Sequence, residues 1–311
     1  MIPEAVRSAI VAGRAGSAET ARRWREGGEY RALARAFADC PDRADPIAER
    51  AERLFADTGW VGTLLAPLAD ALAADPFFEP PFRQSRDGVR TGATLFDCPA
   101  LAITASVIDA AALAAQPPPE TVIFAGQVSV TCYAKAGGAT LRRWLAEPVT
   151  PAFSAGTALP CRPLPPIAPA DGAVYRCDGR IQAQLLGGAR SDLVLLVATI
   201  RAEAAPLMRE YRTDGPLARV ASADEGASRT EMLLGFLRRM QRADAGPRFA
   251  DATRDRAFHT RWAAMREWLA LDARAALPRL AEMSEGDPNA EVRAAAARTL
   301  GLVRERIACP A

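Results

Sequence analysis

Apolar positions recur every three to four places in segments 3–12, 18–39 and 46–74, which are rich in Ala, Arg, Glu and Leu, and this spacing predicts helices over the first 80 residues. Val61, Leu64, Leu65, Leu68 and Leu72 make one apolar stripe. Gly27-Gly28 is expected to break the second segment. Pro67 is expected to kink the third or to start a new helix, because proline lacks an N–H and clashes with the preceding turn. The run Asp75-Pro76-Phe77-Phe78-Glu79-Pro80-Pro81 closes the region, with its two aromatics as a plug on whatever follows.

From about Val89 the pattern becomes short and β-rich. Strands are predicted at 89–96, 100–108, 121–134, 139–147, 173–177, 180–186, 193–200, 207–212 and 217–222. Ala136-Gly137-Gly138, Asp178-Gly179, Gly187-Gly188 and Asp214-Gly215 stand where hairpin turns are wanted. Ala110 to Gln116 reads as a helical turn, and the proline-rich stretch 158–169 as a rigid connector. Such spacing belongs to an antiparallel sandwich or barrel rather than to βαβ units.

The helical period returns at Ser228. Ser228-Arg-Thr-Glu231 has the form of a capping box. Leu233, Leu234, Leu237 and Met240 mark one face, Gly246-Pro247 ends or interrupts the helix, and Phe258, Trp262, Met265 and Leu269 make a heavy apolar face on the next. Two more helices follow at 272–284 and 288–305. The expectation is an α+β chain with an N-terminal helical region (1–80), an antiparallel β-barrel or sandwich (81–224) and a C-terminal helical domain (225–311).

Two stretches carry a resemblance. Asp287-Pro288-Asn-Ala-Glu-Val292-Arg293-Ala-Ala-Ala-Ala-Arg-Thr-Leu300-Gly301 resembles the second helix of a HEAT repeat, with Asp287 as cap, Pro288 at the first helical position, and Val292, Ala295, Ala296, Leu300 and Val303 as buried stripe. Leu277-Pro278-Arg-Leu280-Ala-Glu-Met283 resembles the first, so the likeness covers 272–305. One repeat cannot bury its own face, so the helices at 228–242 and 250–271 must close it. In the middle block, the number of strands, the glycine-marked turns and Gly138-Ala-Thr-Leu141-Arg-Arg-Trp144-Leu make the chain similar to a cupin-type β-barrel. Cupins hold a metal with histidines that this chain lacks, so the resemblance implies a barrel pocket without metal. Another β-sandwich would give the same pattern.

Composition narrows the chemistry. The chain has 311 residues, half of them apolar and 24% charged, which suits a globular protein. Thirty-nine basic residues against 37 acidic ones leave a formal charge of +2, so neither nucleic acid nor a membrane surface is an expected partner. His259 is the only histidine, which excludes a two-histidine facial triad and an HExxH zinc site within one chain. The six cysteines form no CxxC pair and read as reduced thiols. The first residues lack a secretory pattern, and no apolar run reaches the ~18–20 residues of a membrane span. A cytoplasmic protein with no cofactor and no metal is expected.

Candidate site residues are few, and none has a catalytic role. His259 follows Asp255 by four places, where a carboxylate one helical turn back would fix the imidazole tautomer. Trp262 is a potential ligand shelf. On one strand face Arg142 and Trp144 would hold an anion by charge and stacking, with Arg143 on the other face. Tyr133 and Tyr175 would line a barrel interior. Two functions compete. One is a non-enzymatic accessory protein that docks a protein partner, or self-associates, through the HEAT-like helices. The other is a small-molecule binder or metal-independent enzyme whose barrel cavity takes an anionic or aromatic ligand.

Overall fold

The computed structural model describes residues 4–150, 153–223 and 225–308. It has N-terminal helices, an antiparallel sheet region and C-terminal helices, an α+β architecture. Contacts group the chain into two compact units that do not follow three consecutive segments. One comprises Met1–Pro119, Gln127–Leu145 and Pro163–Ala204. The other comprises Glu120–Gly126, Ala146–Arg162 and Ala205–Ala311.

The first unit opens with α1 (Glu4–Glu26), α2 (Gly28–Ala36), α3 (Ala44–Phe55) and α4 (Gly59–Ala74). The expected break at Gly27 is present. The gap expected between 12 and 18 is not: α1 runs through it, and the Ser17 hydroxyl donates back to the Gly13 carbonyl at 2.8 Å. The third segment divides before Pro67, where Asp57 Oδ1 accepts the Gly59 N–H at 2.8 Å and turns the chain. Pro67 sits inside α4. Of the predicted stripe Leu64 and Leu68 are buried, whereas Leu72 is 53% exposed. Phe78 alone forms the plug, since Phe77 is 43% exposed.

Six strands make an antiparallel sheet in the order β1 (Arg83–Arg86), β2 (Arg90–Asp97), β3 (Leu101–Ile108), β10 (Leu193–Ile200), β5 (Val128–Lys135), β8 (Ala173–Asp178). A short helix, α5 (Ala110–Ala115), follows β3 and is capped by Asp109. Side chains alternate between the two faces of a strand. One face presents Leu101, Ile103, Leu196, Ala198, Ile200, Val128, Val130 and Cys132, buried in one core with Trp24, Leu33, Phe37, Ile47, Phe55, Leu64 and Leu68 of the helices. Removing that much apolar area from water, at roughly 25 cal/mol per Å², is what fixes the helices on this face.

A second sheet in this unit runs β7 (Arg162–Ile167), β6 (Thr140–Leu145), β9 (Gln182–Gly187). The proline-rich stretch expected as a connector therefore contains a strand. Three of its six residues are proline, which an edge strand tolerates because one side needs no ladder donors. The turn between β5 and β6 needs its glycines. Gly137 and Gly138 have φ of +60° and +68°, and a Cβ on Gly137 would lie 2.1 Å from the Ser191 carbonyl oxygen. β5 and β6 belong to different sheets, so this turn does not make a hairpin.

The second unit combines a three-stranded sheet, β12 (Leu217–Ser222), β11 (Leu207–Arg212), β4 (Thr121–Phe124), with helices α6 (Glu225–Arg239), α7 (Gly246–Ala252), α8 (Phe258–Leu271), α9 (Ala273–Gly286) and α10 (Ala290–Ala308). The segment predicted as a single strand, 121–134, is thus two strands separated by Gly126 at φ +80°. Arg209 on β11 is 2% exposed, with its guanidinium among the rings of Phe124, Phe153 and Tyr211, and it donates to the Glu147 carbonyl at 2.5 Å. This buried cation ties Glu147 and Phe153 to the sheet.

Leu234, Phe249, Ala264, Met265, Trp268, Ala276, Leu280, Met283, Val292 and Ala296 form the helical core. Two expected caps are placed differently. Ser228 lies inside α6, and the Glu231 carboxylate accepts the Thr260 hydroxyl at 3.4 Å. Asn289, not Asp287, caps α10, its Oδ1 accepting the Glu291 and Val292 N–H groups at 3.0 and 3.1 Å. Asp287 instead takes both arms of Arg261 at 2.6 and 2.8 Å in a buried ion pair.

Among the described residues the strands form three sheets and close into no single barrel. No helix is long and apolar enough to cross a membrane.

Candidate functional site

The face of the six-stranded sheet turned away from the helices has an unusual composition. Register sets its side chains in rows, because residues directly opposite in antiparallel strands share a face. One row reads Thr94, Thr104, Val197, Thr131, Tyr175 across five strands. A neighbouring row reads Ser85, Gly92, Ser106, Leu195, Tyr133, Ala173. On the other side stand Ala102, Thr199, Ser129 and Cys177.

A solvent-facing sheet would carry charges at these positions, and a core face would carry Val, Ile and Leu. This face carries hydroxyls. Ser106, Thr131 and Tyr133 are buried, at 6%, 5% and 2% exposure, and Thr94, Thr104, Ser129, Tyr175 and Thr199 are half-buried. Among the described residues none of these hydroxyls bonds to another protein group, and none is sealed away from water-sized contact. Shielded hydroxyls without protein partners must be met by water or by a ligand. Gly92 leaves room beside the buried Ser106 and the exposed Ser85: a Cβ there would lie 3.1 Å from Ser106 Oγ and 3.0 Å from Ser85 Oγ.

At the β8 end, β6 and β9 form the facing wall. Arg143, Gln182 and Gln184 stand opposite Tyr175 and Cys177 around a cavity of about 30 Å³, room for roughly one water. Arg143 brings positive charge to this wall, with Nε and Nη2 donating to the Pro165 carbonyl at 3.2 Å each. The Cys177 thiol is pushed up to about 11, by burial first and by the Asp178 carboxylate second. Burial likewise raises the Tyr133 phenol well above its ordinary value. Both groups keep their protons at neutral pH.

The residues singled out from sequence fall in three places, with Asp255 apart from each. Tyr133 and Tyr175 come together on the hydroxyl face, ring centroids 5.9 Å apart and edge-on. Arg142 and Trp144 lie on the other side of β6, the guanidinium 4.9 Å from the indole. Arg143, on the opposite face of β6, is the arginine beside Tyr175 and Cys177. His259 and Trp262 line a groove of about 500 Å³ in the second unit. Asp255 is not part of that groove: it precedes α8, and its carboxylate accepts the Ala257 N–H at 2.7 Å, so the helical i, i+4 relation to His259 does not arise. The rows of Ser and Thr were missed, because no motif marks them and only strand register assembles them.

The histidines that a cupin metal would need are not on this face, since the single histidine lies on α8. Among the described residues no group of three His, Cys, Asp or Glu side chains is arranged to hold a metal ion.

No protein family matches the sequence, and no curated protein matches it. Solved structures do. A DMSP lyase structure matches at 18% identity over 63% of this chain and 94% of its own, with a TM-score of 0.25. A sugar phosphate isomerase from a cupin superfamily, from Silicibacter pomeroyi, matches at 11% identity over 44% of this chain and 78% of its own, with a TM-score of 0.23. An ectoine synthase from P. lautus matches at 14% identity over 38% of this chain and 67% of its own, with a TM-score of 0.17.

Proposed function

We propose that the protein binds a small polar molecule on the hydroxyl-lined face of the six-stranded sheet. The observation that carries this reading is the register-aligned set Thr94, Thr104, Thr131, Tyr175, Ser129 and Thr199, shielded yet without protein hydrogen-bond partners. These groups both donate and accept, which suits a ligand with several hydroxyls. Arg143 at one end adds a preference for an anionic group, so a small hydroxylated carboxylate fits best. Binding is favoured over thiol catalysis, because a Cys177 thiol titrating near 11 is not a nucleophile at neutral pH. The described cysteines are free thiols, which suits the reducing cytoplasm.

Native mass spectrometry of the gently isolated full chain tests this. A small, reproducible mass excess is expected, lost on denaturation and absent from Thr104→Val/Thr131→Val. A bare mass for the unaltered chain, or an excess that survives in the variant, refutes it.

A second reading, a protein partner, is favoured by a different observation. Met232, Leu233 and Phe236 on α6 and Met240 just after it are 53–68% exposed, and the HEAT-like stretch points the same way. The exposed Arg229 and Arg239 flank this stripe, so an apolar helix edged with carboxylates fits it better than a second copy would. Phe236→Asp should then abolish co-isolation of a stoichiometric second polypeptide.

A further inference from the structure

We infer that the groove of the second unit is a separate binding site, for a flat organic anion of the aromatic carboxylate class. The groove, about 500 Å³, lies within the range of small-molecule pockets. Its two helical walls come from α8 and α10, and β11 and β12 supply a third side through Leu207 and Val220.

Helix spacing fixes what each wall offers. On α8, Phe258, Trp262 and Arg266 follow one another at intervals of four, so two rings and a guanidinium stand one above the next. On α10, Glu291 and Arg298 are seven residues apart on one side, roughly 10 Å along the axis, with the small Ala295 between them. Single-residue and three-residue connections make α8 and α10 each antiparallel to α9, so α8 and α10 run in the same direction. Arg266 and Arg298 therefore share one end of the groove. Glu291 and His259 share the other, together with Glu231 of α6.

The charges are thus sorted rather than mixed. Both guanidiniums are exposed, and among the described residues neither makes an ion pair or hydrogen bond, so both are available to a carboxylate. Trp262 and Phe258 supply the apolar floor behind them, where an aromatic ring gains burial and a favourable edge or offset contact. The carboxylates at the far end orient the ligand, since they repel an anion placed the wrong way round.

The probe is 2-naphthoate, titrated into the full chain by isothermal calorimetry, with 2-naphthylmethanol as its uncharged counterpart. Saturable one-site binding of the acid is expected, at least tenfold tighter than the alcohol and weakening as salt is raised. Arg266→Gln/Arg298→Gln, both at exposed positions, should weaken it at least tenfold with an unchanged circular dichroism spectrum. Trp262→Leu should weaken acid and alcohol alike. Thr104→Val/Thr131→Val, on the hydroxyl face of the first unit, should leave naphthoate binding unchanged, which separates this site from that one. Absence of saturable binding, equal affinity for acid and alcohol, or full binding by the double arginine variant overturns the inference.

Discussion

Asp287→Ala removes the carboxylate that joins α8 to the start of α10. In the native unit Arg261 Nη2 and Nε donate to its two oxygens at 2.6 and 2.8 Å, and the Asn289 N–H donates to Oδ1 at 2.8 Å. The side chains are 9% and 1% exposed, so truncation leaves a guanidinium buried without its counter-charge. Breaking such a pair costs about 3–5 kcal/mol. Arg261 keeps the Asp255 and Arg256 carbonyls at 3.1 and 3.2 Å, which places the expected loss near the lower end, about 3 kcal/mol. Arg261→Met/Asp287→Leu, which removes both charges, should lie within about 1 kcal/mol of the original. Burial by itself would raise the Asp287 carboxyl, but the Arg261 guanidinium and the Asn289 N–H outweigh it and hold the group below its usual value. Its stabilisation is therefore complete above the unfolded carboxylate range, near ~3.9, and is lost as pH falls through the lower folded value. Urea unfolding followed by tryptophan fluorescence, at pH 7 and along an acid series, measures both effects. A loss under about 1 kcal/mol for the single variant, or a double variant no more stable than the single, would refute the reasoning.

Asn289→Ala should cost about 1 kcal/mol in the same assay, because the Glu291 and Val292 N–H groups lose their cap. Gly137→Ala should destabilise by about 2 kcal/mol or more, since the backbone is left-handed there and the new Cβ would meet the Ser191 carbonyl; a neutral result would mean that the turn relaxes freely. Cys177 should resist iodoacetamide at pH 8 in the native protein and react on unfolding. Its raised value leaves it almost wholly protonated at pH 8, and peptide mapping that finds it labelled as fast as Cys40 would contradict the burial argument.

Much of the fold was legible because period is a local property. Helical spacing identified the N-terminal and C-terminal helices, and β-branched runs identified nearly every strand. The misplacements share a physical cause: a local signal outweighed by a partner distant in sequence. Asp287-Pro288 reads as a helix start, yet Arg261 recruits the aspartate and the start moves to Asn289. Prolines 163, 165 and 166 read as a connector, yet an edge position accepts them in a strand. Residues 121–134 read as one strand, although β4 pairs with β11 and β5 with β10. The site was less legible still. Tyr133 and Tyr175 drew notice as aromatics, but Thr94, Thr104, Thr131 and Ser129 look in sequence like ordinary strand residues. Alternation groups Arg142 with Trp144 and puts Arg143 on the other face, but it does not say which face is inside.

The two faces of the six-stranded sheet also show why the hydroxyls need an explanation beyond folding. Both faces are built on the same strands and the same register. On one of them the central strands β3, β10 and β5 meet the helices with apolar side chains, charges entering only at β8 with Arg176 and Asp178, and stability follows from burial. On the other, replacing Thr104, Thr131 or Thr199 by valine would keep shape and β-propensity and put apolar surface where a partly shielded hydroxyl has no protein partner. Stability alone therefore favours valine at these positions. The hydroxyls are understandable if something outside the chain completes their hydrogen bonds, and a ligand does so with a direction and a fit that loose water lacks. Arg143, Gln182 and Gln184 on the facing wall follow the same logic, since they offer donors and acceptors where an apolar wall would have packed more tightly.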